Sequence, residues 1–578
     1  MFFWIRSQIS HLRFSRSEWI FLVVVSGVLL VAINANYVYG FLQSNDEYRF
    51  AGFLVNTYDQ MTYLSHMEYA RDGNFLLTIL YTSEEVPPRI VNFFFPLMGY
   101  FSLFASKLFV YHLARNILAI MLVFLLYFFL GYFFRRSLHK KIVLLFLLFT
   151  AGWGVYMLAV APLISHQLFG DVAPFTAYID LMMPEAHLFS SLYVFPHFVA
   201  ALILNLLVYI FIFEYLKTEK RKAIFLAALT AFILGFVHLY EMITIYAVLT
   251  SFLLVRWHQT KNFKKYIFNF FPLYGISLIP MLYQFWMILY YKESYGALGK
   301  TILLSPPLAA LFMSFGIFSV FVLCFFIVFF KTGRSIQNMY EKQLAGFPGQ
   351  YNEIWTFLLF WILLNVILMY LPLPPQRRFI QGLQIPIVIL GSMTLFYLFI
   401  PFIARWSGRW VNLINQKKVL LGIAGIILLS HLASPVWMLS IDYNSLANYK
   451  PYLYQKWNYY YISTKIYQGL SYIKDADIQG TILSNKTVGN WIPSFNANRV
   501  YQGHTSQTFD RLNKQKDWEE FLTQEGSSEQ KHEFLKKHNI AYVVYVGDEI
   551  DYAVFKNPQY LELVHRSEEV EMYKVLRD

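Results

Sequence analysis

Long apolar runs, separated by short polar segments, dominate the first three quarters of the chain. They recur between Trp19 and Leu439, and most are close to the roughly 20 residues that an α-helix needs to cross a bilayer. The pattern predicts a polytopic α-helical membrane protein of eleven crossings. The expected crossings are 19–41, 113–134, 142–163, 194–213, two short helices within 223–255, 266–291, 308–330, 354–371, 380–403 and 419–439.

The composition supports a membrane protein and gives the basic residues a role in topology. Only 14% of the 578 residues are charged, against roughly 25% in soluble proteins. The net charge of +12 would suit a nucleic-acid partner, but the basic residues stand in short clusters between apolar runs. Such clusters mark cytoplasmic loops, so we expect a lipid bilayer and no nucleic acid as partner. The clusters are Arg6/Arg13/Arg16, Arg135/Arg136/Lys140/Lys141, Lys217/Lys220/Arg221/Lys222, Arg256/Lys261/Lys264/Lys265, Lys331/Arg334/Lys342 and Arg405/Arg409/Lys417/Lys418.

These clusters predict the orientation of the chain in a plasma (inner) membrane. Residues 1–18 are then cytoplasmic, and 19–41 is a retained helix, because it lacks a small-residue cleavage site. With the Arg135 cluster also inside, only one crossing fits between residues 42 and 134. The run 113–134 ends at that cluster and crosses, whereas 91–110 lies in the outer interface. The loop 42–112 is therefore long and extracytoplasmic.

The stretch 223–255 has basic clusters at both ends and is too long for one crossing. We predict a pair of short helices with His238-Leu239-Tyr240-Glu241 at the turn between them. His238 and Glu241 then lie near the outer side of the bundle, at the floor of a cavity. Ionisable residues at membrane depth usually face a cavity or a partner.

The composition shifts after Leu439, and residues 440–578 predict a small extracytoplasmic α/β domain behind the transmembrane domain 19–439. We expect strands at 481–483, 541–546 and 570–575 and helices at 518–522 and 529–537. The domain carries no phosphate loop, nucleophile elbow or metal-ligand spacing, so we assign it no chemistry. His504 is expected in a surface loop of this domain.

A polar run after the first crossing carries the leading candidate for chemistry. It reads Asp59-Gln60-Met61-Thr62-Tyr63, and on a helix Asp59 and Tyr63 face the same way. A carboxylate next to a cavity can accept the proton of an attacking hydroxyl. The alternative is an ordinary helix cap, a position where Asp is common.

Other acidic residues of the outer loops are candidates for a second acid or a metal site. Asp46-Glu47 is either a solvated helix end or a second acid. Glu84-Glu85, with Asp46, offers oxygen ligands of the kind that Mg²⁺ or Mn²⁺ takes, although no cofactor is certain. The loop 164–192 either completes an acidic site or is a plain outer loop, and its candidates are Asp171, Asp180, Glu185 and His187.

Two arginine positions on the outer side run against the charge rule. Arg377-Arg378 follows a proline-rich break, and such a pair suits a phosphate or pyrophosphate group or anchors lipid headgroups. Arg115 opens the crossing 113–134, where it pairs with a loop acid or contacts the same phosphate.

The run through Tyr63, followed by Ala70-Arg71-Asp72-Gly73-Asn74-Phe75, resembles the first-loop pattern of the C superfamily of glycosyltransferases (GT-C). These polytopic enzymes use polyprenyl-phosphate-linked sugars and include protein O-mannosyltransferases and aminoarabinose transferases. The resemblance covers mainly residues 19–160. A juxtamembrane helix (93–110), Arg115 and the basic pair Arg135/Arg136 follow in the same order. More loosely, residues 376–379 and the C-terminal domain are similar to uncharacterised bacterial members.

The chain also departs from that family. Gln60 follows Asp59 where the aminoarabinose and mannosyl transferases tend to have Asp-Glu, and an Asp-Glu pair stands instead at Asp46-Glu47. The choice of base among these residues is therefore open. The Trp-Trp-Asp signature of oligosaccharyltransferases is absent, so we do not expect N-linked transfer of a whole oligosaccharide.

The resemblance implies an inverting glycosyltransferase with a polyprenyl-phosphate-sugar donor. Asp59 would take the proton of an acceptor hydroxyl on a glycan, lipid or protein. The donor phosphate would lie near Arg377, Arg378 or Arg115. Further candidate substrate contacts are Tyr63, Glu85, His187, His238 and Glu241. The alternatives are a transporter or flippase for a lipid-linked glycan and a non-catalytic scaffold of envelope assembly.

Overall fold

The structure is a computed structural model that describes residues 14–159, 178–299, 302–332, 352–406, 416–448, 460–475, 478, 480–522, 527–547, 549 and 559–576. Its contacts divide the chain into two units. The helical unit comprises Met1–Asn34, Ala114–Phe285 and Ile302–Ile441. The loop–sheet unit comprises Ala35–Leu113, Trp286–Thr301 and Asp442–Asp578. The loop 42–112 and the residues after 442 thus fall within the same unit.

The helical unit consists almost entirely of apolar helices. Pro196–Thr218, with Pro196 at its first turn, is buried along nearly its whole length and packs against Arg221–Val237. The elements with residues in this unit are Arg16–Leu42, Lys107–Leu130, Ser137–Phe149, Ile179–Met182, Leu188–Val194, Pro196–Thr218, Arg221–Val237, Leu239–Thr260, Phe263–Tyr290, Leu308–Ser314, Ile317–Thr332, Asn352–Tyr370, Gln376–Ile380 (3₁₀), Gln384–Thr394, Leu395–Phe399 (π), Ile400–Trp406, Gln416–His431 and Ala433–Ala447.

The fold class predicted from the sequence is confirmed. In the described part of the chain, seven helices are long and apolar enough to cross a membrane. A bent pair, Leu308–Ser314 with Ile317–Val328, makes an eighth if it is one broken crossing. Each of the eleven predicted crossings coincides with helical residues, although the predicted 142–163 continues into residues 160–163, outside the described part.

Two breaks in these helices have local causes. His238 has an extended backbone (φ −155°, ψ 100°) and separates Arg221–Val237 from Leu239–Thr260, at the predicted turn. The 107° bend of the broken pair is at Gly316, which has φ +55°. A Cβ atom there would approach His431 Nε2 to 2.3 Å, so only glycine fits this bend without displacing the histidine.

The loop–sheet unit contains two sheets. The first loop forms an antiparallel pair with a later segment, β1 (Tyr48–Phe50) with β2 (Tyr461–Ser463). The second sheet has the order β4-β3-β5-β7-β6, parallel across β4-β3-β5 and antiparallel across β5-β7-β6. Its strands are β3 (Thr481–Leu483), β4 (Arg499–Val500), β5 (Ile540–Val546), β6 (Leu561–Arg566) and β7 (Val570–Val575).

The helices of this unit surround the sheets. The loop helix, Thr57–Arg71, packs closely on Phe94–Phe101, since a Cβ atom on Gly99 would lie 2.5 Å from the carbonyl oxygen of Met67. The remaining helices are Tyr295–Gly299, Thr464–Ser471, Tyr472–Asp475 (3₁₀), Lys486–Trp491, Pro493–Asn496, Arg511–Leu522 and Ser528–Lys537. The predicted α/β domain is therefore present, with the three predicted strands and both predicted helices.

The predicted single helix at 91–110 is wrong in its extent. The helix Phe94–Phe101 ends early, and Lys107–Leu130 begins the next one. Ser106 causes the restart, because its hydroxyl oxygen accepts a hydrogen bond from the backbone N–H of Phe109 (3.2 Å), as N-terminal capping residues do.

Candidate functional site

Asp59 lies in the first turn of the loop helix, and the structure fixes its orientation. Asn56 occupies the N-cap position with a left-handed backbone (φ 50°) and makes no side-chain bond to the helix backbone. Its amide instead donates to Asp59 Oδ2. The side chain of Asp59 is 33% exposed. Asp59 is thus not the capping residue, although a carboxylate in the first turn still gains from the helix dipole.

The second oxygen of Asp59 contacts a histidine from the far end of the chain. His504 Nε2 lies 2.7 Å from Asp59 Oδ1, across 445 residues of sequence. The backbone N–H of Ser506 donates to His504 Nδ1 (3.3 Å). Since Nδ1 accepts that bond, a neutral His504 must carry its proton on Nε2 and donate it to Asp59. The prediction that His504 lies in a surface loop is wrong, because its side chain is only 7% exposed.

Buried aromatic and imidazole groups enclose the pair on the protein side. The ring of Tyr81, fully buried, lies 5.8 Å from that of His504. Burial lowers the pKa of His66 to about 4, with a smaller contribution from the nearby His504. His66 is therefore neutral near pH 7. Tyr63 stacks on Phe95 with centroids 4.2 Å apart.

Gln60, where the resembled family tends to have Glu, is a structural residue in this chain. Its side chain is fully buried. Its carbonyl oxygen accepts from Tyr111 Oη, and its amide donates to the carbonyl oxygen of Val55 (3.3 Å). A carboxylate at this position would be charged and buried, which is costly. The departure from the family pattern therefore has a packing reason.

The other predicted acids of the first loop lie elsewhere in the loop–sheet unit. Asp46 and Glu47 are on an exposed turn, where Asn45 Oδ1 accepts from the backbone N–H of Glu47. Glu84 accepts from Lys514 Nζ (2.6 Å), and Glu85 is exposed. Asp46 and Glu47 as catalytic acids, and Glu85 as a substrate contact, stay predictions.

The metal site proposed from Asp46, Glu84 and Glu85 also stays a prediction. Among the described residues, no group of three or more His, Cys, Asp or Glu side chains is placed to hold a metal ion. Glu84 is engaged by an ammonium group, so it would have to exchange that partner to bind a cation.

In the helical unit, the two predicted outer arginines share one buried acid. Arg377 Nε lies 3.1 Å and Arg378 Nη1 3.4 Å from the same oxygen of Glu185. The side chain of Glu185 is 3% exposed, whereas those of the arginines are 15% and 26% exposed. Glu185 therefore holds the two guanidinium groups together at one carboxylate.

His238 and Glu241 lie next to this arginine cluster. His238 Nδ1 contacts Glu241 Oε2, and its ring lies 5.6 Å from that of Phe198. Arg378 Cζ lies over the same Phe198 ring, 5.8 Å from its centroid. Four of the residues predicted from sequence are therefore brought into one cluster, through Phe198 and Glu185.

Two other predicted substrate contacts in the helical unit, Arg115 and His187, are buried among protein groups. Arg115 is fully buried and donates to the carbonyl oxygens of Ile33 (2.9 Å) and Tyr193 (3.1 Å) and to Asn34 Oδ1 (2.6 Å). His187 is buried against Phe315, with ring centroids 5.2 Å apart. Their roles in substrate binding stay predictions, as does that of Asp171, which lies outside the described residues.

Sequence reasoning left His504 and Asn56 out of the site and gave Glu185 only as one of several loop acids. Asn56 had a usable signal, because Asn three residues before an acid at a helix start is a common N-terminal arrangement. His504 had none, since a histidine in a Gln-Gly-His-Thr loop is an ordinary surface sequence.

The fold is similar to that of the oligosaccharyltransferase of Archaeoglobus fulgidus in its apo form (12% identity, TM-score 0.45). The match covers 90% of this chain and 69% of that one. The same enzyme with an inhibitory peptide and a dolichol-phosphate gives 12% identity and a TM-score of 0.43, with 89% and 69% covered. The arabinofuranosyltransferase AftD from mycobacteria gives 12% and 0.47, with 95% of this chain and 41% of that one covered.

No protein-family model matches the sequence, and no curated protein matches it. At these identities and scores, the structural similarity does not determine a donor, an acceptor or a catalytic residue.

Proposed function

We propose that this protein is an inverting glycosyltransferase that moves a sugar from a polyprenyl-phosphate carrier to an acceptor hydroxyl on the outer face of the plasma (inner) membrane. The observation that carries the proposal is the contact of Asp59 with His504. Together with the amide of Asn56, His504 orients a partly exposed carboxylate at the start of the loop helix. This is an arrangement suited to general-base catalysis.

The proposed step requires one base and one stabilised leaving group. The acceptor oxygen attacks the anomeric carbon, its proton passes to the Asp59 carboxylate, and the bond from that carbon to the phosphate oxygen breaks. The electron pair of that bond leaves with the polyprenyl phosphate. A phosphate is an adequate leaving group without a strong general acid, provided that cationic groups stabilise its charge.

His504 acts in this proposal as a positioning residue. Its Nε2–H, held in that tautomer by Ser506, fixes one oxygen of Asp59 while Asn56 fixes the other. A carboxylate offers about four acceptor sites, so these two contacts do not by themselves exhaust it. The carboxylate is thus oriented before an acceptor arrives, which reduces the cost of ordering the reactants.

We assign the donor phosphate to Arg377 and Arg378. Both guanidinium groups are partly exposed and meet at one oxygen of Glu185. The planar fork of arginine matches phosphate oxygens. Replacement of both by Gln is expected to raise the KM for the donor by about tenfold or more, because charged hydrogen bonds contribute roughly 1.5–3 kcal/mol each.

The test is transfer in proteoliposomes that contain the full-length protein. Polyprenyl phosphates that carry radiolabelled mannose, glucose, galactose or arabinose are supplied with candidate acceptors. Label on an acceptor or in water supports the transferase. Label that only changes leaflets supports a flippase and contradicts the proposal.

Two variants then locate the base. Asp59→Asn should lower the rate of transfer by about 10²–10⁴-fold and leave the elution volume and helical content unchanged. The matched variant Asp46→Asn/Glu47→Gln should retain activity, since both residues are exposed on a turn. Activity that survives Asp59→Asn but is lost in the matched variant would place the base at Asp46 or Glu47.

A further inference from the structure

A cavity of about 540 Å³ lies within the loop–sheet unit, on the side of the loop helix opposite Asp59. The helix contributes Met61, Leu64, Glu68 and Arg71 to its wall, positions that share one face at helical spacing. Asp59, two residues before Met61, points away from that face. The cavity is therefore separate from the candidate catalytic site.

The charges in the cavity wall are mostly positive. Arg49, Arg71, Lys107 and Lys474 line it together with a single carboxylate, Glu68, a formal charge of +3. Glu68 is already paired with Lys107 and Arg71.

Arg49 and Lys474 are exposed, and neither forms an ion pair with a carboxylate in the described part of the chain. Arg49 is held over the ring of Tyr467, 4.2 Å from its centroid. Two cationic groups thus face the cavity, and among the described residues neither has an acidic partner, which suits an anionic ligand.

The rim of the cavity is strongly apolar at one edge. The segment from Ser102 to Ser106 lines the cavity, and within it Leu103 and Phe104 are 55% and 90% exposed. Phe101, immediately before it, is 59% exposed. Exposed aromatic and aliphatic side chains beside basic residues are the pattern of segments that lie at the boundary of headgroups and acyl chains.

We infer that this cavity binds a phosphate group, and that the phosphate is the headgroup of an anionic phospholipid. Arg49 and Lys474 would contact the phosphate oxygens, and Leu103 and Phe104 would lie among the acyl chains below it. The apolar edge favours a lipid over a soluble phosphate, because a soluble ligand gains nothing from it. The site does not depend on the proposed transfer reaction.

Native mass spectrometry of the full-length protein, from mixed micelles of phosphatidylglycerol and phosphatidylcholine, tests the inference. The wild type should retain phosphatidylglycerol in preference to phosphatidylcholine. Arg49→Gln/Lys474→Gln should weaken phosphatidylglycerol binding about fivefold for each charge removed, or about 25-fold in all. The matched control Lys516→Gln/Lys537→Gln removes the same charge from exposed positions outside the cavity and should bind as the wild type does.

Two further measurements separate the sources of phosphate. Phe104→Ser alters a side chain that is 90% exposed, so it should fold normally and weaken lipid binding. If millimolar sodium phosphate displaces the phospholipid, and Phe104→Ser has no effect, the ligand is a soluble anion and the lipid assignment is overturned. Equal losses in the cavity variant and its control, or no preference between the two lipids, would overturn the site itself.

Discussion

Two acid–base pairs join the first loop to the last hundred residues, and they differ in the basic partner and in how many hydrogen bonds that partner donates to the loop. In Asp59–His504 the acid is partly exposed. Its partner is a histidine, which donates one hydrogen bond through Nε2 because its Nδ1 accepts from Ser506. In Glu84–Lys514 the ammonium group is nearly buried and donates to Thr82 (2.9 Å), Ser83 (3.0 Å) and Glu84 (2.6 Å). A lysine has three donors, so that second set is complete.

The difference teaches which pair is available for chemistry. Lys514 also lies over the Tyr501 ring, 5.0 Å from its centroid, and a group so fully engaged holds two segments together. Asp59 has oriented oxygens at the surface of its unit and can meet a substrate. A salt bridge between distant segments is therefore not itself a sign of function, and the proposed function assigns chemistry to Asp59 alone.

Burial and pairing act against each other in Glu84–Lys514. Burial disfavours the charged form of Glu84, but hydrogen bonds from Lys514 and Thr82 outweigh it, so the pKa of Glu84 lies below its ordinary value. Burial also lowers the pKa of Lys514, and Glu84 does not fully compensate. The pair thus stabilises the half-exposed carboxylate at some cost to the buried ammonium group.

The largest expected effect is on activity and separates the two acids. Asp59→Asn should reduce transfer by about 10²–10⁴-fold, whereas Glu84→Gln, which keeps an acceptor for Lys514, should change it by less than about twofold. Initial rates in the proteoliposome assay measure both. Similar losses in the two variants would show that the comparison is mistaken.

His504→Ala is expected to lower kcat by about 10–100-fold, the equivalent of one charged hydrogen bond. His504→Gln should recover part of the loss, because its amide can still donate. Since a donor to a carboxylate lowers that carboxylate's pKa, the acid limb of the pH–rate profile should move to higher pH in His504→Ala. A histidine that only fills space would lower stability without moving that limb.

Lys514→Met should lower the free energy of unfolding by about 1–3 kcal/mol, because three acceptors lose their donor. Transfer at a temperature where the variant is folded should be little changed. Thermal unfolding in detergent measures the first quantity. Lys516→Met, an exposed lysine two residues away, is the control, and an equal loss there would contradict a structural role for Lys514.

The smallest expected effect is the contribution of Glu84 to stability in acid. Its pKa is lowered in the folded protein, so its contribution is present above the ordinary value of 4.5 and is lost as pH falls through the folded value. Because Glu84 is half exposed, the contribution should be below about 1 kcal/mol. Glu84→Gln should flatten the decline of the unfolding temperature between pH 5 and pH 3, and an unchanged decline would contradict the pairing.

Much of the fold could be predicted because its signals are local. The break at His238 follows from an apolar run too long for one crossing and too short for two, with basic residues at both ends. Strand β7 was predicted with its observed bounds because Val570, Tyr573 and Val575 are residue types that favour strands. Strand β6 was missed, since it is an edge strand in which Leu561 alone is buried and the alternating signal is weak.

The sequence predicted some residues of the candidate site but not the partners that orient them. Asp59 stands out as an acid in a polar run between apolar segments, and Arg377-Arg378 stands out against the charge rule. The contacts that give those residues their geometry are made by His504 and Glu185, at sequence distances of 445 and 192 residues. Such pairings depend on the packing of whole segments and leave no local pattern.

The late position of His504 has a consequence for the biogenesis of the protein. Asp59 is synthesised first, and its histidine partner follows 445 residues later. If the proposed chemistry is correct, a nascent chain inserted in the membrane holds its donor-binding arginines before it can orient its base. Half-made or truncated chains would then transfer sugar about 10–100-fold more slowly than chains that contain His504.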